Sequence, residues 1–208
     1  MSHPSPLNLL TLHCLRLKGY ADVATVAASS GASSEDVTSC LAGLRNRDLV
    51  HLPGSGVLGW ALTPAGRTED DRLLGLELEL VGARPHIEAA YHRFLVLNSE
   101  LRAVCTAWQV HGDELNDHTD ADYDESVVAR LTALHRRARM VCGDLAAQLA
   151  RFGGYEARLA TALDRVRAGD PGWFTQPLID SYHTVWFELH EDLLSTLGID
   201  RAAEASRT

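Results

Sequence analysis

Two stretches of this chain carry side chains able to do chemistry. In DSYHTVWFELHEDLL (180–194), His183, Phe187, His190 and Leu194 repeat at helical intervals on one stripe. Tyr182, Val185, Trp186 and Leu189 fall on the neighbouring stripe. Two imidazoles, a phenol and an indole would thus gather on one side of a helix, a lining suited to a small aromatic or anionic effector. Tyr91 and Trp108, on an earlier long helical stretch, complete the candidate effector pocket. The competing reading is packing, with His and Tyr satisfying each other at the end of a bundle. No metal site is expected. His183 and His190 lie two turns apart, about 10 Å along the axis, and HEDLL lacks the second His of HExxH.

The other stretch is HGDELNDHTDADYD (111–124). Asp120-x-Asp122-x-Asp124 begins as a calcium loop does, but Glu125 stands where Gly is required and Leu131 where the closing Glu belongs. Asp117, Asp120 and Asp124 read more simply as an acidic, solvated loop that caps the next helix. His118 among them is a candidate pH-sensitive hinge. No GxSxG elbow, P-loop, Cys/His nucleophile pair or paired Glu-x-x-His set occurs. The chain is therefore not expected to be an enzyme, and no cofactor is implied. Gly54-x-Gly56-x-x-Gly59 matches a dinucleotide fingerprint formally, but that fingerprint needs a helix after it. WALTPAG is read as unable to open one, which leaves a β-hairpin.

The elements that would position these residues divide at about Arg67. In 22–30 (DVATVAASS) Asp22 is placed to cap a short helix, Gly31 supplies a turn, and Ser33 with Asp36 opens the next helix. Val37, Cys40, Leu41 and Leu44 make that helix's buried stripe, after an apolar first helix at 7–17. Ala27, Gly31 and Val37 set the corner. LVHLPGSGVLGWALTPAGR (49–67) reads as strand, Gly-rich turn and strand.

Ending as it does on LTPAGR, this stretch resembles the winged-helix transcriptional regulators of the MarR and PadR type, over the first third of the chain. The resemblance implies a dimeric regulator of double-stranded DNA whose helix at about 33–47 reads the major groove. Its reading positions would be Ser33, Ser34, Thr38, Ser39, Ala42 and Arg45, with Arg47 and Arg67 on phosphates. Two departures stand out: the reading helix opens with Glu35 and Asp36, and the hairpin tip carries no basic residue.

After a connecting helix (68–82), Arg84-Pro85 opens a long helix to about Val110, and a second runs from Glu125 to Phe152. Gly153-Gly154 ends it, and helices at 155–168 and about 179–197 complete the chain. The expected fold is mostly α with a small β-hairpin wing: a winged helix-turn-helix at 1–67 and an all-helical dimerisation and effector domain at 68–208. An effector bound between helices would change the spacing of two reading helices. A winged-helix protein-interaction module that never touches DNA is the alternative.

The 208 residues carry a net charge of −9, with 46% hydrophobic and 23% charged side chains. These are globular values, and the acidity argues against broad attraction to phosphate or anionic membrane. Up to Arg67 the balance is +1, so the remainder is strongly acidic. Cys14, Cys40, Cys105 and Cys142 are far apart with no CxxC, as expected for buried thiols in a reducing compartment. With no signal-peptide pattern and no apolar run of ~18–20 residues, a soluble cytoplasmic protein is expected.

Overall fold

Local signals place the first elements. In the computed structural model, which describes residues 2–54 and 59–201, α1 (Leu7–Lys18) is followed by α2 (Val23–Ser30), whose first turn is capped by Asp22 accepting from the Thr25 amide at 2.8 Å. Gly31 ends α2 at φ 71°, a left-handed conformation cheap only for glycine. Ser33 then caps α3 (Ser34–Asn46), accepting from the Asp36 amide at 3.1 Å and donating to the Asp36 carboxylate at 2.6 Å. Val37, Leu41 and Leu44 turn inward, while Cys40 is half-buried. Each such buried aliphatic contributes about 1.5–3 kcal/mol. They join Leu12, Leu15, Val26 and Val50 in one core, with α1 packed against α2, α3 and α4.

A short antiparallel hairpin comes next. β1 (Val50–His51) pairs with β2 (Ala61–Leu62) in the register Val50↔Leu62, and Trp60 bridges back to Ala21. The expected hairpin tip, residues 55–58, lies outside the described residues. Beyond β2 the structure departs from the sequence expectation. WALTPAG does open a helix: α4 runs Pro64–Val81, not from residue 68. Thr63 is its N-cap, accepting from the Gly66 amide at 3.0 Å, and Pro64 occupies the first turn, where its missing N–H costs nothing. The Thr63 hydroxyl also donates to the Asp48 carbonyl at 2.6 Å, tying the start of α4 to the end of α3. Gly66 is required by contact, because a Cβ there would fall on the Leu49 backbone carbonyl. Gly66→Ala is expected to destabilise the protein by about 1–3 kcal/mol, read from the urea midpoint.

Beyond Gly82, α5 (Arg84–Gln109) and α6 (Ala121–Gln148) are the long helices. The stretch 111–124 is not simply a loop. β3 (Val110–His111) and β4 (Glu114–Leu115) form a second hairpin turning at Gly112 (φ 64°), and α6 begins at Ala121 with Asp120 accepting from the Tyr123 amide. The Tyr123 hydroxyl reaches the carbonyls of Ala107 and Val110, and its ring stacks on His111. A 3₁₀ turn at Ala150–Gly154 leads into α7 (Tyr155–Arg167), the short α8 (Gly172–Thr175), and α9 (Tyr182–Leu197). The chain is thus mostly helical with two small antiparallel hairpins. Among the described residues no helix is long and apolar enough to cross a membrane.

Two compact units result. Of the described residues, unit 1 holds those within 1–84, 149–151 and 191–208; unit 2 holds 85–148 and 152–190. Unit 1 is discontinuous in sequence. Its first 84 residues are completed by Leu149, Ala150 and Arg151 and by the last turns of α9.

Candidate functional site

On unit 1, the outer face of α3 displays Ser34, Ser39, Ala42 and Arg45 to solvent, together with Ser33, Thr38, Arg47 and Arg67 nearby. Several of these are already engaged. Ser33 caps the helix, Thr38 donates to the Ser34 carbonyl at 2.7 Å, and Arg47 donates to Glu69 at 3.0 Å. Glu69 also accepts two bonds from Arg72, and those bonds hold its carboxyl at about 2, well below the usual range. Ser34, Ser39, Arg45 and Arg67 are the groups best placed to meet a ligand. Glu35 and Asp36 are exposed in the same first turn, where they complement the helix dipole.

In unit 2 the expected effector residues fall into separate groups. Trp186 stacks on Phe94 at 4.6 Å between centroids and donates from Nε1 to Asn98 Oδ1 at 3.0 Å. His190 tilts against the same Phe94 ring, and Tyr182 reaches His135 Nδ1 at 3.3 Å. Burial lowers the His135 pKa and pushes the Tyr182 phenol far up, so both stay neutral. Trp108 belongs elsewhere, stacked on Phe174 at 4.5 Å and beside His118, which pairs with Asp124 at 2.9 Å. Tyr91 is buried on α5.

His183, expected inside with His190, is exposed, as is Phe187. On this part of α9 Tyr182, Val185, Trp186, Leu189 and His190 face inward, as does Glu188, which pairs with Arg158 at 2.7 Å. An open cleft of about 490 Å³ lies beside α6, lined by Arg136, Arg139, Met140, Cys142, Gly143, Ala146, Gly153 and Glu156. Arg139 pairs with Glu156 there at 3.0 Å. Burial pushes the thiols of Cys105 and Cys142 up to about 11 and about 12, leaving them protonated and unreactive.

The strongest electrostatic feature lies outside every residue group singled out from the sequence. Within unit 1, His13 of α1 sits between two carboxylates, with Nδ1 3.2 Å from Asp70 and Nε2 at an ion-pair distance of 3.1 Å from Asp192. Asp192 also takes the Arg151 guanidinium, which reaches Glu77 at 3.2 Å and the Thr196 hydroxyl. Arg16 extends the network outward from Asp70 to Asp71. His13, Asp70, Glu77, Arg151 and Asp192 each have side chains no more than 5% exposed. Burial alone would lower the His13 pKa, but Asp192 and Asp70 outweigh it and hold the imidazole at about 9. Burial would raise that of Asp192, yet Arg151 and His13 keep it far below the ordinary carboxylate range.

A sequence signal for this network does exist. Asp70 and Glu77 share α4's buried stripe with Leu74 and Leu78, and His13 interrupts an apolar run. Among the described residues no group of three or more His, Cys, Asp or Glu side chains is placed to hold a metal ion. Compared with protein-family models, with curated proteins and with solved structures, the chain matches none.

Proposed function

We propose that this chain is a DNA-binding transcriptional regulator of the winged helix-turn-helix kind, acting as a homodimer in the cytoplasm. One observation carries the reading. A capped helix, a left-handed glycine turn and a second capped helix present Ser34, Ser39 and Arg45 outward, with a hairpin directly after them. Exposed hydroxyls and a guanidinium on such a helix suit hydrogen bonding to base edges and phosphates. The effector would sit in the cleft beside α6, where Arg136 favours an anionic ligand.

The test is retention of random genomic duplex fragments by the full chain at low and moderate salt, with sequencing of the retained DNA. Selective retention with a steep salt dependence is expected. Arg45→Ala with Arg67→Ala is expected to weaken it by about tenfold or more. Arg47→Ala should weaken it less than that pair does, because Arg47 is already bonded to Glu69.

A second reading, a protein-interaction module on the same fold, is favoured by Glu35 and Asp36 at the front of α3 and by the Arg47–Glu69 pair. Failure of the folded chain to retain any DNA at low salt would establish it over the first.

A further inference from the structure

The charges on α6 divide between two sides of the helix. Arg137 donates to Glu100 and Asp144 pairs with Arg93 at 2.8 Å, so both turn toward α5. On the side of the cleft the balance differs. Arg139 is offset there by Glu156, whereas Arg136 is exposed and has no ion-pair partner among the described residues. The cleft therefore carries one uncompensated positive charge.

Its remaining lining is apolar and drawn out along the helix. Arg136, Met140, Gly143 and Ala146 follow one another at intervals of four, three and three residues, which keeps them on one face. From Arg136 to Ala146 that face runs about 15 Å along the axis. Met140 is 67% exposed, and its flexible thioether can mould to an apolar body laid against it. A Cβ built at Gly143 or at Gly153 would meet nothing within 4 Å, so the strip stays open over the backbone.

We infer that this cleft takes a straight-chain monocarboxylate of medium length. Its carboxylate lies on the Arg136 guanidinium, and its methylenes run along Met140 and Gly143 toward Ala146 and Gly153. The inference rests on the effector reading above only for what binding achieves. A guanidinium fork matches the two oxygens of a carboxylate. One net positive charge suits a monoanion, whereas the second charge of a dianionic phosphate would find no partner and would face Glu156. Length selects the chain. A compact acid held at Arg136 would leave most of the apolar strip in water, while each methylene laid along it removes more. An open cleft buries such a chain on one side, so each methylene tightens binding by about twofold, half the free energy of full burial.

Amide chemical-shift titration of the full chain tests this with butanoate, hexanoate, octanoate and decanoate below micelle-forming concentrations, and with octan-1-ol. Shifts are expected in the segments bearing Arg136 to Ala146 and Gly153 to Glu156, with affinity rising about twofold per methylene. Octan-1-ol on the wild type, and octanoate on Arg136→Gln, are each expected to bind about fivefold more weakly than octanoate on the wild type. Gly143→Leu fills the strip from an exposed position and is expected to abolish binding with unchanged circular dichroism. Met140→Glu, at a largely exposed side chain, gives the same readout if Gly143→Leu misfolds. No shifts at these residues, no dependence on chain length, or binding that Arg136→Gln and the blocking variants leave unchanged would overturn the inference. Octanoate bound as expected to a chain that retains no DNA, or whose retained DNA it does not release, would uphold the ligand while removing its effector role.

Discussion

Arg151→Met is expected to destabilise unit 1 by about 3–5 kcal/mol. The methionine fills similar space, so little of the loss comes from a cavity. It comes from charge. Asp192 and Glu77 would remain buried, each with side chains 3% exposed, without the guanidinium that offsets their desolvation. Asp192 would keep His13; Glu77 would lose its ion-pair partner, and its Oε1 already lacks a hydrogen bond. Arg151→Lys retains the charge but not the fork that spans Glu77, Asp192 and Thr196, and is expected to cost less, about 1–2 kcal/mol. Hydrogen exchange at the amides of α1 and α4 reads the effect locally, alongside the urea midpoint. A loss below about 1 kcal/mol for the methionine variant would mean that water replaces the guanidinium, and that the site is not sealed.

The second expected result is a decline in stability between about pH 6.5 and pH 9, removed by His13→Gln. The folded protein holds His13 at about 9, against an ordinary 6.5. The folded state therefore binds the proton more tightly than the unfolded chain. Its contribution is fully present below 6.5 and is lost as pH rises through 9, amounting to about 3 kcal/mol by linkage. Asp192 acts with the opposite sign. Its depressed pKa contributes stability above the ordinary value of 3.8, which disappears as the solution is made more acidic. A denaturation series from pH 6 to 9.5 on both proteins separates the two. A wild-type slope identical to that of His13→Gln would show that the imidazole is neutral in the folded state.

Elements marked by local chemistry were legible in the sequence. Asp22, Gly31 and Ser33 each act on atoms within three or four residues of themselves, so spacing alone gives the two short helices and their turn. Thr63-Pro64 misled because a Thr-Pro pair suits both the end of a strand and the start of a helix. Gly66 decides the matter through contact with Leu49, seventeen positions earlier. The β3–β4 hairpin is short, polar and largely exposed, so it has no apolar alternation to reveal it. On α9 the two candidate stripes look alike in sequence, and only packing separates exposed His183 from buried His190. The network around His13 was least legible. Asp70, Glu77, Arg151 and Asp192 are ordinary surface residue types, and their burial depends on segments far apart in the chain.

The discontinuity of unit 1 has a consequence for how the chain is made. Residues 1–84 leave the ribosome with His13, Asp70 and Glu77 already present, but Arg151 and Asp192 are still to come. At about 5–20 residues per second, the wait for Asp192 is on the order of ten seconds. For the first part of that interval, until Arg151 emerges, the nascent N-terminal segment carries Glu77, destined for a dry interior, without the guanidinium that makes its burial tolerable. Unit 1 is therefore sealed late, after all of unit 2 has emerged. A stop codon anywhere before Asp192 leaves the α3 surface without a finished support.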